Sequence, residues 1–290
     1  MKRIPIGLSD FKHLIEEDFY YFDKTKLIEE IINDGSEVKL FTRPRRFGKT
    51  LNMSMLKYFF DVENDEENKK LFKDLYIEKT DAFKEQGQYP VIFLSLKDLK
   101  ASTWEEMEKD IKSTISRIFL DHRYLLNDLD KFDTLTFENI IMKNTELEDL
   151  KEALKFLTEN LYKKYGQKVV VLIDEYDSPL VSAYVNGYYE KAKDFFKTFY
   201  STVLKDNVYL QMGVMTGIIR VIKAGIFSDL NNLRTYTILS EMYTDSYGLT
   251  EEEVVKSLKD YGIEHEISNV KDWYDGYKFG NSEVYNPWSI

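Results

Sequence analysis

Arg43-Pro44-Arg45-Arg46-Phe47-Gly48-Lys49-Thr50 lies between two runs of different period. Before it, Glu37-Val38-Lys39-Leu40-Phe41-Thr42 alternates and then turns apolar, as a short strand does. After it, Leu51 to Phe60 carries Met53, Leu56, Phe59 and Phe60 at helical spacing. The arginine-rich stretch is therefore a loop between a strand end and a helix N-terminus. Such a loop turns successive backbone N–H groups, and the positive end of the helix dipole, towards one point that suits an anion. A lysine there can bridge the outer phosphates of a nucleotide, and the Thr50 hydroxyl can take a position on Mg²⁺. The spacing is that of G-x-x-x-x-G-K-[ST], except that Arg43 stands where the first glycine is expected. The phosphate-binding candidates are Arg45, Arg46, Phe47, Gly48, Lys49, Thr50 and Leu51.

The rest of the chain supplies context for this loop. Pro90 to Leu96 and Lys168 to Ile173 are apolar runs of strand length, as strands buried on both faces are. Val208 to Met215 is a further strand, ending in Thr216-Gly217. Helical periodicity runs over Trp104 to Leu120, Glu146 to Tyr165 with Gly166 as its C-cap, and about Tyr188 to Lys205. The acidic segment Asp61 to Lys70 reads as either a loop or a helix entry. Strands alternating with helices predict an α/β fold with a mostly parallel sheet and helices on both faces. Near the end, Thr250-Glu251-Glu252-Glu253 has capping-box spacing and starts a short helix ending near Gly262. Trp273 to Gly280 and Val284 to Trp288 then read as an aromatic-rich hairpin.

The apolar strand Val169 to Ile173 ends abruptly in Asp174-Glu175. An Asp at such a strand end can hold Mg²⁺, and the next carboxylate can take a proton from an attacking water. The two must titrate differently, Asp174 staying ionised while Glu175 accepts the proton. An isolated Asp-Glu is better read as a solvated turn; the upstream phosphate loop reverses that preference. Thr216 has two readings, a polar group near the γ-phosphate or a cap on a strand-to-helix turn. Arg220, one turn on, is likewise either a reader of γ-phosphate charge or a structural arginine. The catalytic candidates are Glu175, Lys49, Thr216 and Arg220, and the metal candidates are Thr50 and Asp174. Arg45 and Arg46 can contact phosphates, pair with acidic neighbours or face solvent, and the loop has little room for both beside Lys49.

Bulk composition narrows the class. With 290 residues, 43% hydrophobic and 31% charged, the chain is a soluble globular protein with a sizeable core. Its net charge of −11 excludes coating nucleic acid by bulk electrostatics. Of eight arginines, three fall within residues 43–46, which calls for a local anionic ligand. The absence of cysteine excludes disulfides, thiolate catalysis and Cys-based metal sites. The three histidines are scattered, in no metal-ligand spacing, and read as surface or packing residues. No apolar run approaches the ~18 residues of a bilayer span, and the N-terminus is not a secretory signal, so a cytoplasmic location is the simplest expectation.

With these residues placed, the chain resembles the AAA-ATPase-like family often found upstream of a PD-(D/E)XK nuclease domain. The resemblance rests on Ile4-Pro5-Ile6-Gly7 with Asp10-Phe11, Tyr21-Phe22-Asp23-Lys24-Thr25, Arg43 to Thr50, Ile173 to Asp177, Gly213 to Gly217, Asn231-Asn232-Leu233 and Trp273 to Tyr277. The family pattern itself carries the arginine in place of the first glycine. The resemblance implies a P-loop NTPase fold of the additional-strand catalytic-glutamate type. It implies ATP and Mg²⁺ as ligands, Lys49 and Thr50 at the phosphates and metal, and Asp174-Glu175 as the second nucleotide motif. It places the stretch Tyr21 to Thr25, with Tyr21 as the binding candidate, near the base.

The expected division is a P-loop core with an N-terminal extension over 1–237 and a lid-like region over 238–290. The end at Ile290, without polar tail or helix cap, reads as a cut from something longer. The leading function is an ATPase acting as a switch or motor for a C-terminal or partner module. Three other readings stand beside it: a regulatory nucleotide-binding module with little turnover, a nucleic-acid-processing component working with a nuclease, and an interaction scaffold. Expected partners are ATP and ADP, a second copy of the chain, and a nuclease domain or DNA, with no membrane. An arginine acting in trans would have to be Arg123, Arg220 or Arg234.

Overall fold

The computed structural model describes residues 2–219, 225–227, 230–274 and 276–289. Five strands form one sheet: β1 (Val38–Thr42), β2 (Val91–Ser95), β3 (Val169–Asp174), β4 (Leu210–Gly217) and β5 (Leu233–Tyr236), in the order β2-β3-β4-β1-β5. β3 pairs in parallel with both β2 and β4. Every residue of β1 and of β3 is buried, which is why β3 reads as an unbroken apolar run up to Asp174, while β1 is buried despite Lys39 and Thr42. The β-branched residues of β3 also suit the pleat.

The chain divides into two compact units. One comprises Ser36–Leu40 and Tyr89–Arg234, the other Met1–Gly35, Phe41–Gln88 and Thr235–Ile290. The first of these holds the main core, built from β2 to β4, the start of β1 and the helices Trp104–Asp121, Ala153–Tyr165 and Tyr189–Leu204. Within it, Gly213 of β4 donates its N–H to the Glu37 carbonyl at 2.9 Å. A side chain at 213 would lie 2.7 Å from a Leu204 methyl and 3.3 Å from Val38, so glycine permits this close approach.

Three sequence expectations are corrected here. The helix expected over 146–165 is broken into Leu147–Leu150 and Ala153–Tyr165. At the break the Thr202 hydroxyl takes the Lys151 carbonyl at 2.7 Å, and the Lys151 ammonium bonds Glu148 and Asp194. β4 begins at Leu210, two residues later than expected, because Asn207 binds the N–H groups of Tyr209 and Leu210 in a turn. Trp273 and Tyr274 belong to the helix Ile267–Tyr274 and not to the hairpin. Ile267 and Val270 of that helix pack on Leu249, Val254 and Tyr285. The hairpin itself is β7 (Tyr277–Phe279) and β8 (Ser282–Tyr285), joined by β6 (Leu249–Thr250) in a three-stranded sheet.

In the other unit, the helix Lys49–Phe60 packs with the short helix Phe11–Glu16, whose first N–H reaches Ser54 Oγ at 3.0 Å. Phe72 stacks on Phe11 and meets Phe59 edge-on. Asp23 accepts the Thr25 hydroxyl at 2.6 Å and the Tyr76 N–H at 2.7 Å. The half-buried Lys24 meets Glu253 with its ammonium at 2.6 Å and the Asp245 carbonyl at 2.8 Å. Glu253 also closes the capping box with Thr250 that the sequence shows. The residues 238–290 expected as a lid-like region thus belong to the same unit as the Tyr21–Thr25 stretch.

Candidate functional site

Gly48 is the N-cap of the helix Lys49–Phe60 and has φ +78, a conformation that glycine adopts at no steric cost. No atom lies within 4 Å of where its Cβ would stand, so there is open space beside the backbone at the helix start. This is the cradle a phosphate needs, and its helix is long enough to carry a dipole. Lys49 is buried, and its ammonium donates to the carbonyls of Arg43 at 3.1 Å and Pro44 at 2.8 Å. Thr50 and Leu51 follow, half-buried. Arg45 and Arg46 are exposed. Arg46 has φ +69 and holds its guanidinium 4.5 Å from the centre of the Trp288 ring. Phe47 is fully buried, edge-on to Tyr277 at 4.9 Å and against Phe279 at 5.2 Å.

Arg43 has a structural task that the motif spacing does not reveal. Its side chain is fully buried and donates to the carbonyls of Thr42, Tyr236 and Tyr243 at 3.0, 2.9 and 3.2 Å. The rings of Tyr247 and Phe279 lie 5.0 and 5.1 Å from the guanidinium carbon. Burial lowers its pKa. Tyr236 and Tyr243 both give their hydroxyls to Asp34. The residue in place of the first glycine therefore ties the end of β1 to the segment 236–247.

Tyr21 is placed along the middle of the same helix. Its hydroxyl lies 3.3 Å from Met55 Sδ and accepts the Lys24 N–H at 3.2 Å, while its ring packs on Phe11 at 5.4 Å. Burial raises its pKa.

The second motif lies in the other unit. Asp174 and Thr216 are both completely buried, and the Thr216 hydroxyl donates to Asp174 Oδ1 at 2.5 Å. The same hydroxyl accepts the Glu175 N–H at 3.4 Å. Glu175 is half-buried with φ +54, an uncommon conformation for a residue with a side chain, and one that collects at functional sites. Tyr176 and Asp177 clamp the chain after β4. The Tyr176 hydroxyl donates to the Ile219 carbonyl at 2.6 Å, and Asp177 Oδ2 accepts the N–H groups of Ile218 and Ile219, both at 2.9 Å. Gly217 lies under this clamp: a Cβ there would be 2.5 Å from the Tyr176 ring. Arg220 lies outside the described residues.

An oxygen donor set of buried carboxylate and hydroxyl suits a hard cation such as Mg²⁺, and Asp174 is the residue here that can hold one. Thr216 fixes its orientation. Thr216→Val keeps the shape and removes the hydroxyl, and is expected to lower stability by about 2 kcal/mol, the scale of a hydrogen bond to a charged group. Thr216→Ser should retain most of it. Urea midpoints of the three proteins make the comparison, and a Val midpoint equal to wild type would remove Thr216 from this role.

A family model described as Predicted AAA-ATPase matches residues 5–227. The chain belongs to the AAA-ATPase-like family. That span contains the phosphate loop, the β3 end and the β4 end together. Among curated proteins, the chain is similar to the "Uncharacterized protein in vnfD 5'region" of Azotobacter chroococcum mcd 1. It is 26% identical over 293 residues, covering all of this chain and 51% of that protein. The chain therefore spans about half the length of this relative. Among the described residues, no helix is long and apolar enough to cross a membrane.

Two roles in this AAA-ATPase-like chain escaped the sequence reading. Arg43 registered as a departure from a glycine motif and as one of three clustered arginines calling for an anionic ligand, whereas its guanidinium bonds backbone carbonyls. Asp177, followed by Ser178-Pro179, has the look of a helix N-cap, yet its carboxylate makes no capping bond and serves Ile218 and Ile219. A local pattern points to the wrong partner there, because the true one is about forty residues away in sequence.

Proposed function

We propose that this chain binds ATP with Mg²⁺ and hydrolyses it. In one unit Gly48, Lys49 and the neighbouring backbone N–H groups are the ligands for the phosphates and Thr50 a ligand for the metal; in the other Asp174 is a metal ligand and Glu175 the acceptor of the attacking water's proton. Bound Mg²⁺ would neutralise charge on the phosphate oxygens. The observation that carries this reading is the left-handed Gly48 with open space beside it, opening a helix whose first residue is Lys49. Thr216 orients Asp174, and the half-buried Glu175 follows it in the chain. The output of the cycle is proposed to be a switch or motor action on a linked or partner module, a nuclease being the class that the sequence resemblance implies.

A regulatory module with slow turnover is the second reading. It is favoured by the Lys49 ammonium, which is held by two carbonyls of its own loop that phosphate oxygens must outcompete. Lys49→Ala tests the common ground. It is expected to raise the Kd for MgATP roughly 30-fold or more, about 2 kcal/mol of charge-assisted hydrogen bonding. ATP-dependent thermal stabilisation should vanish with it. Unchanged stabilisation by MgATP in Lys49→Ala would sink the assignment, and phosphate release by the wild type separates the two readings.

A further inference from the structure

Arg46 and Phe47 immediately precede Gly48-Lys49, and both touch an aromatic surface made by β7, β8 and the turn after them. Tyr277 stands edge-on to Phe47 and is 41% exposed; Trp288, beneath the Arg46 guanidinium, is 53% exposed. Trp288 is not on a loose tail. Its N–H donates to Asn286 Oδ1 at 3.0 Å, and Ser289 N–H returns to the Asn286 carbonyl at 2.9 Å, a turn that fixes the backbone carrying the ring. Gly248 lets Phe47 approach closely, since a Cβ there would be 2.9 Å from the Phe47 ring. The loop and the aromatic surface are thus packed as one piece. Two large rings partly open to water, one carried on an ordered turn and one packed edge-on to Phe47, with a planar cation on the first, suit stacking on a flat π-system.

We propose that Trp288 and Tyr277, with Arg46, form the stacking platform for the base of the bound nucleoside triphosphate. The inference rests on the reading of Lys49 as the phosphate site and extends it to the other end of the nucleotide. Consecutive Cα atoms are 3.80 Å apart, so Arg46 is at most about 11 Å of chain from Lys49, and its long side chain is within reach of a nucleotide held there. Arg46 then stacks on the base or yields its place on Trp288 to it, and the loop's second arginine remains for phosphate. Tyr21, against Met55 and Phe11, is thereby released from the base-binding role implied by resemblance. Stacking without edge contacts favours purines over pyrimidines by area and separates adenine from guanine little. A nucleic-acid strand is the less suitable occupant, because the chain carries a net charge of −11.

The test uses the full chain with Trp104→Phe and Trp273→Phe, leaving Trp288 as its single tryptophan. MgATP and MgGTP are expected to quench its fluorescence, whereas inorganic triphosphate should compete with MgATP for binding without quenching. By calorimetry in the otherwise native chain, Trp288→Ala should raise the Kd for MgATP about tenfold, the scale of base–aromatic stacking, and Trp288→Phe should restore most of it. The Kd for inorganic triphosphate should move by less than about twofold in both. Equal MgATP affinity in Trp288→Ala, quenching by triphosphate alone, or quenching by a single-stranded oligonucleotide but not by MgATP overturns the platform. If the unaltered chain binds neither MgATP nor triphosphate, the phosphate-site reading fails and takes the platform with it.

Discussion

Glu175→Gln is expected to lower ATP turnover by about 10²–10⁴-fold while leaving MgATP affinity close to that of the native chain. The range is that of a lost general base, and the amide keeps the size and planar shape of the carboxylate but cannot take up the proton. Glu175 is held at φ +54 at the end of a strand whose residues are all buried. A residue with a side chain in that conformation costs about 1 kcal/mol or more, which glycine avoids. Glu175→Gly should therefore raise the unfolding free energy by about 1 kcal/mol and abolish turnover together. Single-turnover phosphate release and urea denaturation measure the two effects. Turnover within about threefold of native in Glu175→Gln would move the base elsewhere, and a less stable Glu175→Gly would show that Glu175 contributes contacts outweighing its backbone strain.

The second large effect runs against motif logic. Arg43→Gly restores the spacing G-x-x-x-x-G-K-T in full, and is nonetheless expected to destabilise the protein by about 3–5 kcal/mol. The guanidinium satisfies the buried carbonyls of Tyr236 and Tyr243, and the side chain fills space with no solvent access. Removing it leaves those carbonyls without that donor and opens a cavity. Arg43→Lys keeps the charge but not the planar fork, and should fall between the two. Thermal and urea unfolding of the purified variants decide the matter. An Arg43→Gly variant as stable as native, with tighter ATP binding, would restore the reading of Arg43 as a mere substitution in a phosphate loop.

Much of the frame was legible because burial on both faces leaves a plain signature. β2 and β3 are apolar runs of strand length, β1 alternates before turning apolar, and the phosphate loop lies where the period changes from strand to helix. Legibility failed where distant side chains overrule local pattern. The break at Lys151 depends on Thr202, and the start of β4 on the Asn207 turn. Trp273 and Tyr274 look like strand residues beside Tyr277, but Ile267 and Val270 set a helical register that includes them. The site divides in the same way. Gly48, Lys49 and Asp174 announce themselves by type and position. The Thr216–Asp174 contact, the Asp177 clamp and the Arg43 anchor join residues far apart in sequence, which no spacing rule can connect.

The link between Lys24 and Glu253 has a consequence for the order in which this protein can be made. Its unit is assembled from three stretches, and the last begins only at Thr235, after the intervening Tyr89–Arg234 stretch has been synthesised. At a ribosomal pace of roughly 5–20 residues per second, those residues occupy about 7–30 s. Throughout that interval the nascent Tyr21–Thr25 stretch and the phosphate-loop helix lack the partners that cover them, including the segment that receives Arg43. The unit named first by its N-terminus is thus the one completed last, and its exposed apolar faces during synthesis are natural ground for a chaperone.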